Sequence, residues 1–216
     1  MACYLRQYSL SILMSAFVGA CLTTTGYAGC NRQQPLLVLR IFNQAKVDDE
    51  DIENAVKQVE HIYKEAEIRT EWRIVTNLQD PDFDPSRLEL TIILVSDSFA
   101  EADGLNGSNT GFALGNSGKG ARRAYVYADR ARQQAFCAST RREISVGEAK
   151  ALILGNVIAH EAGHLLLPPK SHSQAGIMMP LFDIRSVDQA LCGSLLFTKD
   201  QSAKIRTVLL NQSGRY

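Results

Sequence analysis

The chain has 216 residues, 45% of them hydrophobic, and its 23 Lys and Arg are balanced by 23 Asp and Glu. That composition suits one domain with a packed core and excludes disordered and fibrous classes. Balanced charge, with no basic run interleaved with aromatics, excludes the electrostatic footprint of a nucleic-acid binder, so no nucleic acid is expected as a partner.

The N-terminus carries Arg6, an apolar run over residues 9–22 and then small and polar residues up to Ala28. The run is shorter than the roughly twenty residues of a membrane span and no stop-transfer charges follow it, so residues 1–28 read as a secretory signal peptide. The expected location is therefore exported, either secreted or periplasmic. Val18-Gly19-Ala20-Cys21 and Tyr27-Ala28-Gly29-Cys30 also resemble bacterial lipoprotein cleavage boxes, which keeps a lipid anchor at Cys21 or Cys30 open beside cleavage after Ala28. In an oxidising compartment Cys137 and Cys192 are the expected disulfide pair, because Cys30 lies so close to the new N-terminus.

Residues 35–43 (P-L-L-V-L-R-I-F-N) form a short Leu-, Val- and Ile-rich run that predicts a buried first strand. Over residues 48–66, Ile52, Ala55, Val56, Val59, Ile62, Tyr63 and Ala66 recur at helical spacing behind an acidic first turn, which predicts an amphipathic helix. His61 adjoins that apolar stripe without a partner motif and reads as a surface or core-edge residue, not a ligand. Residues 71–75 around Trp72 and residues 88–95 (L-E-L-T-I-I-L-V) predict the next two strands, on either side of a Pro- and Asp-rich loop. Gly111-Phe112-Ala113-Leu114, set among Gly, Asn and Ser, suits an exposed edge strand, and residues 123–127 predict another strand. The segment G-N-S-G-K-G at 115–120 is too short for a phosphate loop and has no Ser or Thr after its Lys, so it reads as a surface loop.

Ser145-Val146-Gly147-Glu148 has the pattern of a capping box, and residues 149–167 are almost wholly apolar, which predicts a buried helix stopped by Pro168-Pro169. Thr198 opens a last helix over residues 199–210 with Ile205, Val208 and Leu209 inward. Inside the apolar helix stands His160-Glu161-Ala162-Gly163-His164. Residues four apart share a helix face, so His160 and His164 can present imidazole nitrogens to one metal with Glu161 beside it. Burying three polar groups in so apolar a helix is costly without strong partners, and a metal supplies them. The third ligand is expected to be His172, the only histidine after His164. No Glu follows Glu161, and Asp183, the nearest downstream carboxylate, lacks an accompanying motif.

H-E-A-G-H, then His172-Ser173, then G-I-M-M-P at 176–180 resembles the matrixin-type metzincin pattern H-E-x-G-H-x-x-G-x-x-H-S followed by S-I-M-x-P, over residues 149–180. The resemblance implies an α/β (α+β zincin-like) fold: a twisted mixed sheet with two long helices, then a small C-terminal subdomain with a Met-turn and a final helix. Residues 29–216 would be a single metzincin-like catalytic domain, divided into 29–167 and 168–216 about a zinc cleft. It further implies one catalytic Zn2+ on His160, His164 and His172, Glu161 as general base, and Met178 as the Met-turn methionine beneath the metal. A peptide or protein substrate would pair with the edge strand at Gly111, Phe112, Ala113 and Leu114, and Pro180 would line a pocket. Two departures make this a divergent member: Leu167 replaces the family's turning glycine, and the gap to the third His is two residues longer, so Pro168 and Pro169 must make the turn by another route. Cys30 lacks the flanking residues of the family's cysteine switch.

A three-His zinc site keeps a position for water and lowers its pKa to about 7, and Glu161 would carry its proton to the leaving amine, which gives peptide-bond hydrolysis. The expected protein is a secreted, monomeric zinc metallopeptidase. Its alternatives are a non-catalytic zinc-stabilised binding domain of the same fold and a hydrolase acting on another bond.

Overall fold

The structure is a computed structural model that describes residues 34–78, 88–102, 110–114, 122–180 and 184–213. The signal-peptide reading, Cys21, Cys30, the loop at 115–120 and Asp183 lie outside the described residues. In chain order the elements are β1 (Leu36–Asn43), α1 (Asp49–Glu65), β2 (Arg69–Val75), β3 (Glu89–Val95), α2 (Asp97–Ala102), β4 (Gly111–Leu114) and β5 (Arg122–Tyr127). They continue with α3 (Ala128–Arg142), α4 (Val146–Leu166), α5 (Ile184–Leu191) and α6 (Lys199–Ser213).

The five strands form one mixed sheet in the order β2-β1-β3-β5-β4, parallel except for β4, which runs antiparallel to β5 at the edge. Strand alternation sends Leu37, Leu39 and Ile41 of β1, Leu90, Ile92 and Leu94 of β3, and Ala124 and Val126 of β5 into the main core against the helices. The other face gathers Ile93, Val95 and Tyr127 with Phe42, Phe99, Phe112 and Tyr125. It also holds the buried Glu89 carboxylate between Arg40 at 4.0 Å and Arg73 at 3.6 Å. Central β3 is covered on both faces along its whole length, which is why it ends in the unbroken apolar run Ile92 to Val95 and not in an alternation.

Helix α4 packs against α1, α3 and the sheet. Its start is fixed by the expected capping box: Ser145 Oγ accepts from the Glu148 N–H at 3.1 Å, and Glu148 Oε2 accepts from the Ser145 N–H at 3.1 Å. Ser145 Oγ also donates to Glu148 Oε2 at 2.8 Å, and that bond, with the one from the Ser145 N–H, holds the Glu148 carboxyl below its ordinary pKa.

The architecture departs from the sequence expectation in one long helix. A sheet with two long helices before Pro168 was expected, but α3 adds a third, and α2 and α5 add short ones. The buried side of α3 is Ala128, Ala131, Ala135 and Ala138, small residues whose spacing carries a weak apolar signal. The two cysteines expected to pair are not bonded to each other in this structure. Cys137 lies between two members of that alanine stripe, turned to solvent, and Cys192 lies just past α5; both are free, exposed thiols. His61 is a core-edge residue as expected, half-buried with Nε2 3.3 Å from the Gly193 carbonyl oxygen.

Candidate metal centre

His160 and His164, one turn apart near the end of α4, bring their Nε2 atoms to 3.0 Å. The His172 ring, on the segment after α4, lies with its centroid 5.6 Å from that of His160 and 4.7 Å from that of His164. One nitrogen from each ring falls within 4.8 Å of the others, so the three imidazoles could hold a single metal ion. Tetrahedral bonds of 2.0–2.1 Å place neighbouring donor atoms about 3.3 Å apart, within reach of this cluster after small ring rotations.

The outer ring atoms are already engaged. His160 Nδ1 lies 2.7 Å from the Ile177 carbonyl oxygen, which can only accept, so Nδ1 carries the proton and Nε2 keeps its lone pair for a metal. His164 Nδ1 lies 3.1 Å from Ser171 Oγ. Burial holds both histidines below their ordinary pKa, His164 down to about 4, with neighbouring histidine charge adding to the effect. Both are therefore neutral at pH 7, the form that ligates.

Glu161 faces the same space and is 5% exposed. Burial pushes its carboxyl up to about 8, and its buried Oε2 has no hydrogen-bond partner. The space against it exists because residue 111 is glycine. A Cβ there would stand 2.8 Å from Glu161 Cγ and Oε1 and 2.6 Å from the Tyr125 carbonyl oxygen. The edge strand thus runs directly along the carboxylate.

Met178 is fully buried under α4, and it explains the glycine inside H-E-A-G-H. A Cβ on Gly163 would meet Met178 Sδ at 2.6 Å and Phe197 Cε1 at 3.0 Å. The turn that carries Met178 is built on Gly176, whose φ is +77° and whose missing Cβ would lie 2.5 Å from the Leu196 carbonyl oxygen. The Ile177 N–H donates to Leu196 O at 2.9 Å, and the Ser173 N–H donates to Met178 O at 2.9 Å. At the end of α4, Leu167 turns extended while its N–H still reaches Gly163 O at 2.9 Å, and Lys170 takes a left-handed φ of 63°. The reversal that a glycine at 167 would make is therefore spread over Leu167 to Lys170.

A second cap anchors the His172 segment. Gln201 Oε1 accepts from the Thr198 N–H at 2.9 Å and Thr198 Oγ1 accepts from the Gln201 N–H at 3.3 Å, while Gln201 Nε2 donates to Ser173 Oγ at 3.0 Å. The start of α6 thereby fixes the residue beside His172.

The cluster opens into a cleft of about 850 Å³. Gly111, Phe112, Ala113 and Pro180 border it, as expected of them, whereas Leu114 is half-exposed and is not among the lining residues. The Phe112 ring itself stacks on Tyr125 at 4.7 Å on the sheet's far face. Ser171, Gln201 and Arg122 were not singled out in the sequence. Gln201 had a signal there, since Thr198-Lys199-Asp200-Gln201 repeats the capping-box spacing. Compared with protein-family models, with curated proteins and with solved structures, the chain matches none.

Proposed function

We propose that the protein is an exported zinc-dependent peptidase of divergent metzincin-like kind, hydrolysing peptide bonds with Glu161 as general base and His160, His164 and His172 as metal ligands. The observation that carries this reading is the buried, partnerless Glu161 carboxylate beside three converging imidazoles at an open cleft. A purely structural site has no use for such a carboxylate and is closed by a fourth protein ligand, and none joins this cluster among the described residues. A bound zinc ion supplies Lewis-acid polarisation of a carbonyl and acidifies water.

The chain's own residues do the rest. Ile177 and Ser171 orient the two helical imidazoles, so ligand geometry is set before any ion arrives. Glu161 Oε2, free of other bonds, is the atom that takes a proton from water and passes it to the departing amine. A cation nearby lowers the carboxyl's pKa from about 8 toward the ionised base the reaction needs. Edge strand β4 offers backbone groups to an extended substrate, which suits a peptide of varied sequence.

The test is elemental analysis of the mature domain together with mass-spectrometric detection of cleavage in a mixed peptide library, with Glu161→Gln alongside. One equivalent of zinc in both proteins is expected, with turnover in the variant lowered about 100- to 10,000-fold. A parent that takes up no zinc, or a Glu161→Gln protein that cleaves as fast as the parent, overturns the reading.

A further inference from the structure

Among the described residues that line the cleft, Arg122 is a cation that the hydrolytic chemistry does not use. On β5, Arg122, Ala124 and Val126 share the face turned toward α4; Ala124 and Val126 are core, and Arg122 stands at the strand's open beginning. Its Nη1 donates to the Leu165 carbonyl oxygen at 2.8 Å, one residue past His164. That bond caps the end of α4 and occupies one of five donors in the guanidinium fork.

Among the described residues no carboxylate pairs with Arg122, although the side chain is half-buried and lines the cleft. The same cleft is lined by Leu165, Leu167, Pro168, Pro169 and Val208, which offer no counter-charge. Among the described residues that line the cleft, Glu161 is the only acidic side chain, and it belongs to the candidate metal centre. Burial holds the Arg122 pKa below its ordinary value, the mark of a cation taken partly from water without compensation. A largely apolar cleft that holds an unmatched, planar, bidentate donor is complementary to an apolar stem ending in a carboxylate.

We propose that Arg122 is a specificity-determining residue that selects substrates carrying a carboxylate in this arm of the cleft, supplied either by an acidic side chain or by a free C-terminus. The proposal rests on the peptidase reading and deepens it. A helix-capping role alone accounts for the Leu165 bond and predicts no preference among substrates.

The test uses the zinc-loaded mature chain and matched short peptides in which Glu or Gln is placed at each position in turn, each ending in a free carboxylate or a carboxamide. Binding is measured by calorimetry on the Glu161→Gln background, and cleavage on the parent. A charge-assisted contact at a half-buried site corresponds to on the order of tenfold tighter binding of the carboxylate member at one position. Glu over Gln at an internal position identifies an acidic side chain as the source, and acid over amide at the end identifies the chain terminus. Arg122→Gln erases the preference, Arg122→Lys keeps part of it, and raising sodium chloride in the unsubstituted cleft weakens it without any variant. Equal affinity for all members of each pair overturns the proposal. Cleavage without charge preference overturns only this proposal; charge-selective binding without cleavage overturns only the peptidase reading; and no binding of any peptide overturns both.

Discussion

Glu161 makes the metal-free protein sensitive to pH in a way that can be isolated. Its folded carboxyl titrates near 8 against an ordinary value of 4.5, because burial disfavours the charge. Between those values the folded state keeps a proton that the unfolded chain has released, so stability falls as pH rises through this window. His164 acts in the opposite sense, since a folded value near 4 means that stability rises from about pH 4 to 6.5. Above pH 6.5 the Glu161 term dominates, and comparing parent with Glu161→Gln cancels the histidine contribution. Each pK unit is worth 1.36 kcal/mol, so from pH 6.5 to 8 the parent should lose about 1.6 kcal/mol more stability than the variant. Urea unfolding of both proteins after chelation, at four pH values across that interval, measures it. Saturating zinc should flatten the parent's slope, because a cation at the cluster favours the carboxylate. Parallel stability curves for parent and variant without metal would show that Glu161 is not desolvated as described, and with it the argument for a poised base would go.

Two further perturbations probe the ligands and the floor of the site. His172 is exposed, so His172→Ala should leave the fold intact by circular dichroism while weakening zinc affinity at least about 100-fold in a chelator competition, more than loss of an outer-shell partner would cost. Unchanged affinity would remove His172 from the ligand set. At Gly163, alanine is normally favourable in a helix, but its Cβ would stand 2.6 Å from Met178 Sδ, so Gly163→Ala should cost about 1–3 kcal/mol in urea unfolding. The double variant with Met178→Ala should cost clearly less than the sum of the singles, and strict additivity would contradict the packing described.

How much of this was legible in the sequence depends on how each residue announces itself. Strands β1 and β3 and helices α1, α4 and α6 were readable because large apolar residues recur at the right period and caps stand at their ends. Helix α3 was not, because alanine fills its buried side and six arginines and glutamines fill most of the rest, a pattern that periodicity alone cannot separate from a polar loop. The two helical histidines and Glu161 were readable from spacing, since the α-helix turns four residues into one face. The support around them was not. The carbonyl of Ile177 that orients His160 belongs to the backbone and leaves no mark in the sequence, and Arg122 reaches the cleft only because β5 starts beside the end of α4. Cysteines 137 and 192 were paired by elimination, which has no regard for which side of a helix each thiol occupies, and both stand exposed and unbonded.

The proposed ligand set joins two parts of the protein with different mechanical character. His160 and His164 stand on a helix packed on nearly every side, whereas His172 is exposed on a segment held by Ser173, by the Gly176 turn and by the cap of α6. Local opening concentrates where buried contacts are few, so hydrogen exchange without an ion is expected to be faster in the exposed His172 segment than around the helical pair. Metal binding then draws on two stores: preorganisation in α4, which costs nothing at the moment of binding, and ordering of one loop, which does. Met178 and Phe197 connect them. Both come from the C-terminal part and both press on Gly163, so the floor of the site is core packing in which the loop's own residues take part. A larger residue at 163 would therefore push on the segment that carries His172, and the small residue between His160 and His164 is as much a requirement of the proposed metal centre as the three histidines are.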